Sequence, residues 1–133
     1  MIREHTAAVL ALLQGAPGTT PLVALDGHVP AGRVPPYVLV YFADNDPEDR
    51  SLEDRQDRYV LWVYCHNVGG NADAARAVAT RVRSALLGVV PVVAGRDCWP
   101  IRREDGDPPD RDESTGVLVM DQVDVYRLES VPA

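Results

Sequence analysis

The sequence is poor in cysteine and in positive charge, and it contains no long apolar run. Its two cysteines, Cys65 and Cys98, are too few for a disulfide-built scaffold and fit ordinary reduced, buried thiols. No apolar run approaches the ~20 residues that a membrane-spanning helix needs. The N-terminus also lacks the basic and apolar regions of a secretory signal. We therefore expect a cytoplasmic protein that makes no contact with a membrane.

The shortage of positive charge argues against two classes of partner. Arginine and lysine together number 13 against 20 acidic residues, so the formal net charge is -7. Proteins that coat DNA or lie on anionic membranes have basic surfaces, which this composition does not favour. With 133 residues and a hydrophobic fraction of 46%, the chain has the size of a single domain, residues 1–133, with one core.

Metal-ligand and cofactor motifs are also missing. Cys65 and His66 are neighbours in a strand pattern, so their side chains point to opposite faces and cannot share a metal ion. Cys98 has no nearby cysteine or histidine that would complete a zinc-ligand pair. We expect no zinc site and no cofactor. A Cys65 nucleophile paired with His5 or His28 stays open, although nothing favours it over a buried thiol.

The most informative stretch, residues 57–88, reads as a strand followed by a helix. Residues 59–66 are aromatic, β-branched or apolar on both alternating faces. This pattern predicts a central strand with a helix on one face and either a second helix or a neighbouring subunit on the other. Gly69-Gly70 lacks the spacing of a phosphate-binding loop and predicts a simple turn. Asn71 is placed to cap a helix that ends near Gly88.

The remaining periodicities complete an α-β-β-β-α-β-β order. We predict a helix at 3–13 and strands at 21–26, 37–42, 97–102 and 116–128, with a connector or short strand at 89–93. Alternation falters at Asp121-Gln122, which suggests a β-bulge in the last strand. Because loops rather than crossover helices join most strands, we expect an α+β fold with a mostly antiparallel sheet and two helices on one face.

Two charged segments interrupt this pattern, at residues 43–56 and 103–113. Both predict exposed loops, or segments that become ordered on a partner. Their carboxylates raise the question of a magnesium or calcium site, but the spacing does not match a calcium-binding loop, and a solvated charged loop explains them better. We identify eight of these acidic residues as candidates for a subunit or partner interface: Asp46, Glu48, Asp49, Glu53, Asp54, Asp107, Asp110 and Asp112.

Three arginines on the second predicted helix are the complementary candidates. Arg76, Arg81 and Arg83 lie on a helix without lysine. A basic face toward nucleic acid is one interpretation, but the acidic total favours salt bridges to acidic segments of the same or a neighbouring chain.

The chain as a whole resembles the tail terminator, or tail completion, proteins of long-tailed phages and actinobacterial prophages. The resemblance lies in the order of the elements: a helix, Pro-Pro-Tyr-Val-Leu-Val at 35–40, a charged loop, Arg-Tyr-Val-Leu-Trp-Val at 58–63, a helix after Gly69-Gly70, and Val-Asp-Val-Tyr-Arg at 123–127. It covers nearly all residues and depends on order and spacing.

The resemblance implies a structural protein without catalytic activity. It implies subunits that are soluble in the host bacterial cytoplasm and then form a ring, commonly a hexamer, on the tail tube protein of the virion tail. The ring would also offer a surface to a head-tail connector or neck protein. An acidic lumen would let DNA pass without specific binding, because it repels phosphates.

Two other interpretations stay open. A small acidic inhibitor or immunity-type module would bind one partner as a monomer. A metal-dependent hydrolase would use the acidic residues between Asp107 and Glu113, and would need a divalent cation.

Overall fold

The protein is an α+β fold in two layers, described by a computed structural model for residues 1–45, 58–114 and 116–133. The described residues form two helices and seven strands. The helices are α1 (Ile2–Gln14) and α2 (Ala72–Leu86). The strands are β1 (Ala24–Asp26), β2 (Tyr37–Asp44), β3 (Tyr59–Gly69), β4 (Arg96–Cys98), β5 (Arg102–Gly106), β6 (Asp110–Asp112) and β7 (Val119–Pro132). Neither described helix has the length and apolarity required to cross a bilayer.

The strands form one sheet in the order β1-β2-β3-β7-β4, and β5 and β6 also pair with β7. β1 runs parallel to β2, whereas the other pairs are antiparallel. The predicted α+β class and mostly antiparallel sheet are therefore confirmed. β3 lies at the centre between β2 and β7, as its two apolar faces predicted.

The prediction of a loop at residues 103–113 is wrong, although most of these residues are exposed as predicted. β5 and β6 pair along the outer edge of β7, with Arg102 opposite Arg127 and Asp112 opposite Val119. β7 needs partners for the backbone groups on that edge, and this requirement outweighs the low strand propensity of a charged sequence. The predicted strand at 97–102 is accordingly split between β4 and β5, and residues 89–93 form a connector.

The bulge predicted in the last strand is also in a different place. The ladder between β3 and β7 passes Asp121 and Gln122 without a shift of register. The irregularity lies on the opposite strand, between Arg103 and Asp105 of β5. β7 ends at Pro132, four residues beyond the predicted limit at 128.

The core lies between the sheet and the two helices. β3 directs Leu61, Val63 and Cys65 toward the helices, and all three are fully buried. α2 contributes an apolar stripe and α1 contributes Val9 and Leu13. The stripe of α2 consists of Ala75, Val78, Ala79, Val82, Ala85 and Leu86. Its small residues allow the helix to approach the sheet closely, as the sequence pattern predicted.

The predicted start and stop of α2 are confirmed. The side-chain oxygen of Asn71 accepts a hydrogen bond from the Ala74 amide at 2.8 Å, which satisfies one of the free donors of the first turn. Gly88 follows the helix with φ +76°, a conformation that glycine adopts without steric cost. The helix therefore begins next to the end of β3 and returns antiparallel to it.

Candidate interaction surfaces

The sheet face that points away from the helices carries half-exposed aromatic and apolar side chains. We call it the open face, and it consists of Tyr41, Trp62, Tyr64, His66, Val123 and Val125. Tyr41 is 44% exposed and Tyr64 is 37% exposed, whereas the opposite face of β3 is fully buried. The predicted helix on one face of β3 is confirmed, and no second helix of the described chain covers the other face.

A row of ion pairs borders the open face on β7 and β5. Arg127 donates a hydrogen bond to Glu104 at 2.9 Å and also pairs with Glu129. Its guanidinium lies 5.8 Å from the ring centre of Trp62, within the range of a cation-π contact. These pairs are near the surface, so each contributes little to stability.

A histidine lies at the other end of the open face. The Nδ1 atom of His66 is 2.9 Å from a carboxylate oxygen of Asp121. This hydrogen bond raises the pKa of His66, and it outweighs the opposing effect of partial burial. The ring of Tyr41 meets the His66 ring edge-on, with centroids 5.5 Å apart. The charge of this part of the open face therefore changes as pH crosses the raised pKa of His66.

The three predicted interface arginines have different environments on α2. Arg76 and Arg83 are exposed. Arg83 lies close enough to Tyr126 to oppose the burial that raises the pKa of that tyrosine to about 12. Arg81 instead donates to the backbone carbonyls of Pro17 and Thr20, at 3.2 and 2.5 Å. Arg76 and Arg83 are thus available to another molecule, while much of the bonding capacity of Arg81 is used within the chain.

The predicted acidic residues that the structure describes lie at one corner of the sheet. Asp107 follows β5, and Asp110 and Asp112 belong to β6. Asp107 and Asp110 are exposed. Asp112 accepts a hydrogen bond from the Ser114 amide at 2.9 Å, and hydrogen bonding by Ser114 lowers the pKa of the carboxyl group. The other five candidates, Asp46, Glu48, Asp49, Glu53 and Asp54, lie outside the described residues.

The described residues offer no constellation for metal catalysis or for an activated cysteine. Within residues 1–45, 58–114 and 116–133, no group of three histidine, cysteine or carboxylate side chains has the arrangement of a metal site. Burial raises the pKa of the Cys65 thiol, which makes it a poor nucleophile. His5 bonds to Met1 and Ser130 instead.

One exposed apolar feature was missed by the sequence interpretation. The sequence predicts a connector or short strand at 89–93 without indicating its exposure, yet Val92 in it is 91% exposed. Its signal in the sequence is the run Val-Val-Pro-Val-Val between Gly88 and Gly95. Such a run is longer than a surface turn requires, and proline prevents it from joining the sheet as a regular strand.

Comparison with solved structures finds chains of a similar fold. A chain from the virion of a native gene transfer agent particle superposes with a TM-score of 0.69 at 19% sequence identity. The match covers 94% of this chain and 92% of that chain. A second solved chain matches with a TM-score of 0.66 at 15% identity, over 98% of this chain and 95% of the other. At these identities the likeness concerns the fold.

Comparison at the level of sequence identifies the family. A search of curated proteins finds no match. The family model described as tail completion protein gp17 matches residues 5–123, which include most of α1, all of α2, strands β1 to β6 and the start of β7. This match confirms the resemblance stated above and makes the protein a structural component of a phage-type tail, not an enzyme. The chain belongs to the tail completion protein gp17 family.

Proposed function

We propose that this protein forms a hexameric ring that caps the tail tube and provides the tail-side surface for head joining. The observation that carries the proposal is the family match over residues 5–123. The open face supports it, because the single chain leaves Tyr41 and Tyr64 half exposed at the centre of its sheet. Assembly with other virion proteins would cover such a surface.

The ring requires a heterologous contact, in which one patch of a subunit meets a different patch of the next. We assign the positive side of this contact to α2 and the negative side to the acidic candidates. Arg76 and Arg83 are exposed on the helix, and Asp107 and Asp110 are exposed beyond β5. Opposite charges on two separate patches allow head-to-tail association, in which the positive patch of each subunit meets the negative patch of the next.

The partners of the ring are the tail tube protein on one side and a connector or neck protein on the other. DNA passes through the lumen without specific binding. The net charge of -7 supports this role, because an acidic surface repels phosphate and does not retain the moving duplex.

Light scattering after size exclusion tests the proposal directly. We expect a ring-sized species, either for the protein alone or after addition of the tail tube protein, and electron microscopy should show closed rings. Replacing Arg76 and Arg83 with glutamate should lower the oligomer population while the fold stays intact. Arg3→Glu on the exposed side of α1 is the control, and it should assemble like the unmodified protein. A monomer under every condition would contradict the ring.

A further inference from the structure

Three arginines and a tryptophan surround a cavity at one end of the sheet. We call this cavity the arginine pocket. It has a volume of about 300 Å³ and is lined by Arg58, Trp99, Pro100, Arg102, Arg127 and Glu129. This volume is at the lower limit of ligand sites, which range over roughly 300–1,000 Å³, so the pocket fits a side chain better than a large cofactor.

The strand register places the arginine pocket on the same side of the sheet as the open face. Trp62 pairs with Arg127, and Arg127 pairs with Arg102, so these three side chains form one row across β3, β7 and β5. The next row on the same side contains Tyr64, about 7 Å farther along β3. The pocket is therefore continuous with the exposed aromatic side chains of the open face.

The arginines of the pocket are only partly neutralised. Arg127 donates to Glu104 at 2.9 Å and also pairs with Glu129. The side chain of Arg102, by contrast, is 64% exposed and lies 3.8 Å from Glu129, which is too far for a hydrogen bond. Among the described residues, three guanidinium groups thus share two carboxylates. This leaves one positive charge in excess on a chain whose net charge is -7.

The pairing of two arginines across the sheet is unfavourable without an anion. The ladder between β5 and β7 places Arg102 directly opposite Arg127, and directly opposed like charges destabilise a pair of strands. Glu104 and Glu129 offset this repulsion mainly at Arg127, to which both are bonded. A further anion beside Arg102 would make the pairing favourable.

Arg58 forms the opposite wall of the pocket. Its guanidinium lies over the ring of Trp99, 4.9 Å from the ring centre, within the range of a cation-π contact. No carboxylate of the described residues pairs with Arg58, and Trp99 is 40% exposed. A contact through the ring face does not use the N–H donors, which lie in the plane of the guanidinium and can reach a planar acceptor.

These features fit a carboxylate group of another protein chain. Guanidinium groups bind a carboxylate through two parallel hydrogen bonds, and one carboxylate would balance the excess charge. Trp99 and Pro100 offer apolar surface to the methylene groups that carry an acidic side chain's carboxylate. Tryptophan and arginine are also the residue types that supply much of the binding energy at protein interfaces.

Duplex DNA fits the pocket less well. Nonspecific DNA binding depends on several arginine or lysine contacts spread along the phosphate backbone. Here Glu104 and Asp105 follow Arg102 directly on β5, and the exposed Asp107 and Asp110 lie beyond them. A duplex that extended from the pocket along this edge would meet carboxylates, which repel phosphates.

We infer that the arginine pocket binds the carboxylate of an aspartate or glutamate on an acidic segment of another protein chain. Arg58 and Arg102 donate to the carboxylate oxygens, and Trp99 packs against the adjacent methylene groups. Tyr41 and Tyr64 of the open face contact apolar residues of the same segment. The inference goes beyond the proposed ring, because it assigns a ligand to this pocket and does not depend on the number of subunits.

Tryptophan fluorescence tests the chemistry of the ligand. The chain has two tryptophans, so Trp62→Phe leaves Trp99 as the reporter. We expect poly-L-glutamate to change Trp99 emission in a saturable manner, with an affinity that falls as salt is added. Arg58→Gln and Arg102→Gln should each weaken this binding by about tenfold. Both arginines are exposed, so the variants should unfold like the unmodified protein.

Arg33→Gln is the matched control. Arg33 is also exposed and carries the same charge, but it precedes β2 at the end of the sheet where Tyr37 pairs with Val68. Its replacement should leave the affinity unchanged. Equal weakening by Arg33→Gln would overturn the inference, because it would indicate a response to net charge alone. Unchanged Trp99 emission with poly-L-glutamate, or tighter binding of a short DNA duplex, would also overturn it.

A zero-length cross-link identifies the bound carboxylate in assembled tails. The sequence contains no lysine, so Arg102→Lys introduces a unique lysine amine, which a carbodiimide couples to a carboxylate in contact with it. We expect mass spectrometry to find an amide bond between position 102 and an aspartate or glutamate of another chain. The same reaction on the protein alone distinguishes a second copy of this chain from another tail protein as the source.

Arg33→Lys is the control for the cross-link. It carries the same reagent-sensitive amine outside the pocket and should give no such product in the tails. If Arg102→Lys couples only to Glu129 or Glu104 of its own chain, or no better to other chains than Arg33→Lys does, the pocket does not hold a partner's carboxylate.

Discussion

The Nε2 atom of His5 lies 2.8 Å from the hydroxyl oxygen of Ser130, and this contact joins the first helix to the last strand. The other ring nitrogen lies 2.8 Å from the Met1 carbonyl and donates to it. The Ser130 hydroxyl then donates to Nε2 and accepts a hydrogen bond from Arg96 Nε at 3.1 Å. In this buried series of hydrogen bonds Nε2 acts as an acceptor, which is possible for a neutral histidine and not for a protonated one.

Acid should therefore weaken the domain through His5. Burial lowers the pKa of His5 below its ordinary value of 6.5. The unfolded chain then takes up a proton at a higher pH than the folded one, so the free energy of unfolding falls as pH drops below about 6.5. For one group the slope is at most about 1.4 kcal/mol per pH unit. Urea unfolding between pH 8 and pH 5 measures this slope. His5→Gln should flatten the profile of unfolding free energy against pH. An equally steep profile in that variant would exclude His5 as the origin.

His66 on β3 should change the pH dependence of unfolding free energy with the opposite sign. The hydrogen bond that the His66 ring donates to Asp121 raises the pKa of His66 above 6.5. The folded state then holds the proton more tightly, so this stabilisation is present below pH 6.5 and is lost as pH rises through the folded pKa. Asp121→Asn should remove the effect and bring the pKa of His66 down. Proton NMR titration of the His66 ring gives the pKa directly. If Asp121→Asn leaves this pKa the same as in the unmodified protein, Asp121 is not the cause of the raised pKa.

Two adjacent glycines provide a matched test of packing at the turn into α2. A Cβ atom on Gly69 would lie 2.6 Å from the backbone carbon of Ala74, whereas a Cβ on Gly70 would meet nothing within 4 Å. Backbone atoms cannot move aside as a flexible side chain can. We expect Gly69→Ala to cost about 1–3 kcal/mol of unfolding free energy and Gly70→Ala to change it by less than ~0.5 kcal/mol. Equal effects would show that the helix start adjusts freely.

A similar comparison applies to two neighbouring arginines of β5. Arg103 donates to the fully buried carboxylate of Asp124, at 2.8 Å from Nη2. Arg102 is 64% exposed in its side chain and lies 3.8 Å from Glu129. Replacing Arg103 with methionine should cost about 2–3 kcal/mol, because it leaves a buried charged acceptor without its main donor. Arg102→Met should cost less than ~0.5 kcal/mol. Chemical denaturation of both variants at pH 7 provides the measurement.

The sequence predicted the elements whose residues repeat with a clear period. The central strand from Tyr59 and the helix capped by Asn71 follow directly from alternation and capping chemistry. The edge strands β5 and β6 could not be predicted in this way. Their charged residues, such as Arg103 and Asp110, adopt strand geometry because the backbone of β7 needs hydrogen-bond partners, which is a tertiary effect. Charge identified Arg76 and Arg83 as surface candidates, but it could not show that Arg81 is bonded to the Pro17 carbonyl.

A groove beside the N-terminal half of α2 was hidden from the sequence for a related reason. Its two sides, around Pro35 and Ala77, are more than forty residues apart in the chain and form a cavity only after folding. The helical periodicity around Ala77 predicts α2, but it does not show what lies beside the helix. Val92 had a signal, an apolar run too long for a turn, but its exposure depends on hydrogen bonds to Ile101 that lie outside the run.

The irregular edge strand β5 affects the behaviour of the protein before assembly. β5 carries Arg102, Arg103, Glu104 and Asp105 and is bulged between Arg103 and Asp105. Charged side chains and a bulge prevent another chain from adding to that edge as a further strand. We expect that the unassembled protein can accumulate to high concentration without forming fibres, so that growth by strand addition does not compete with incorporation into the tail.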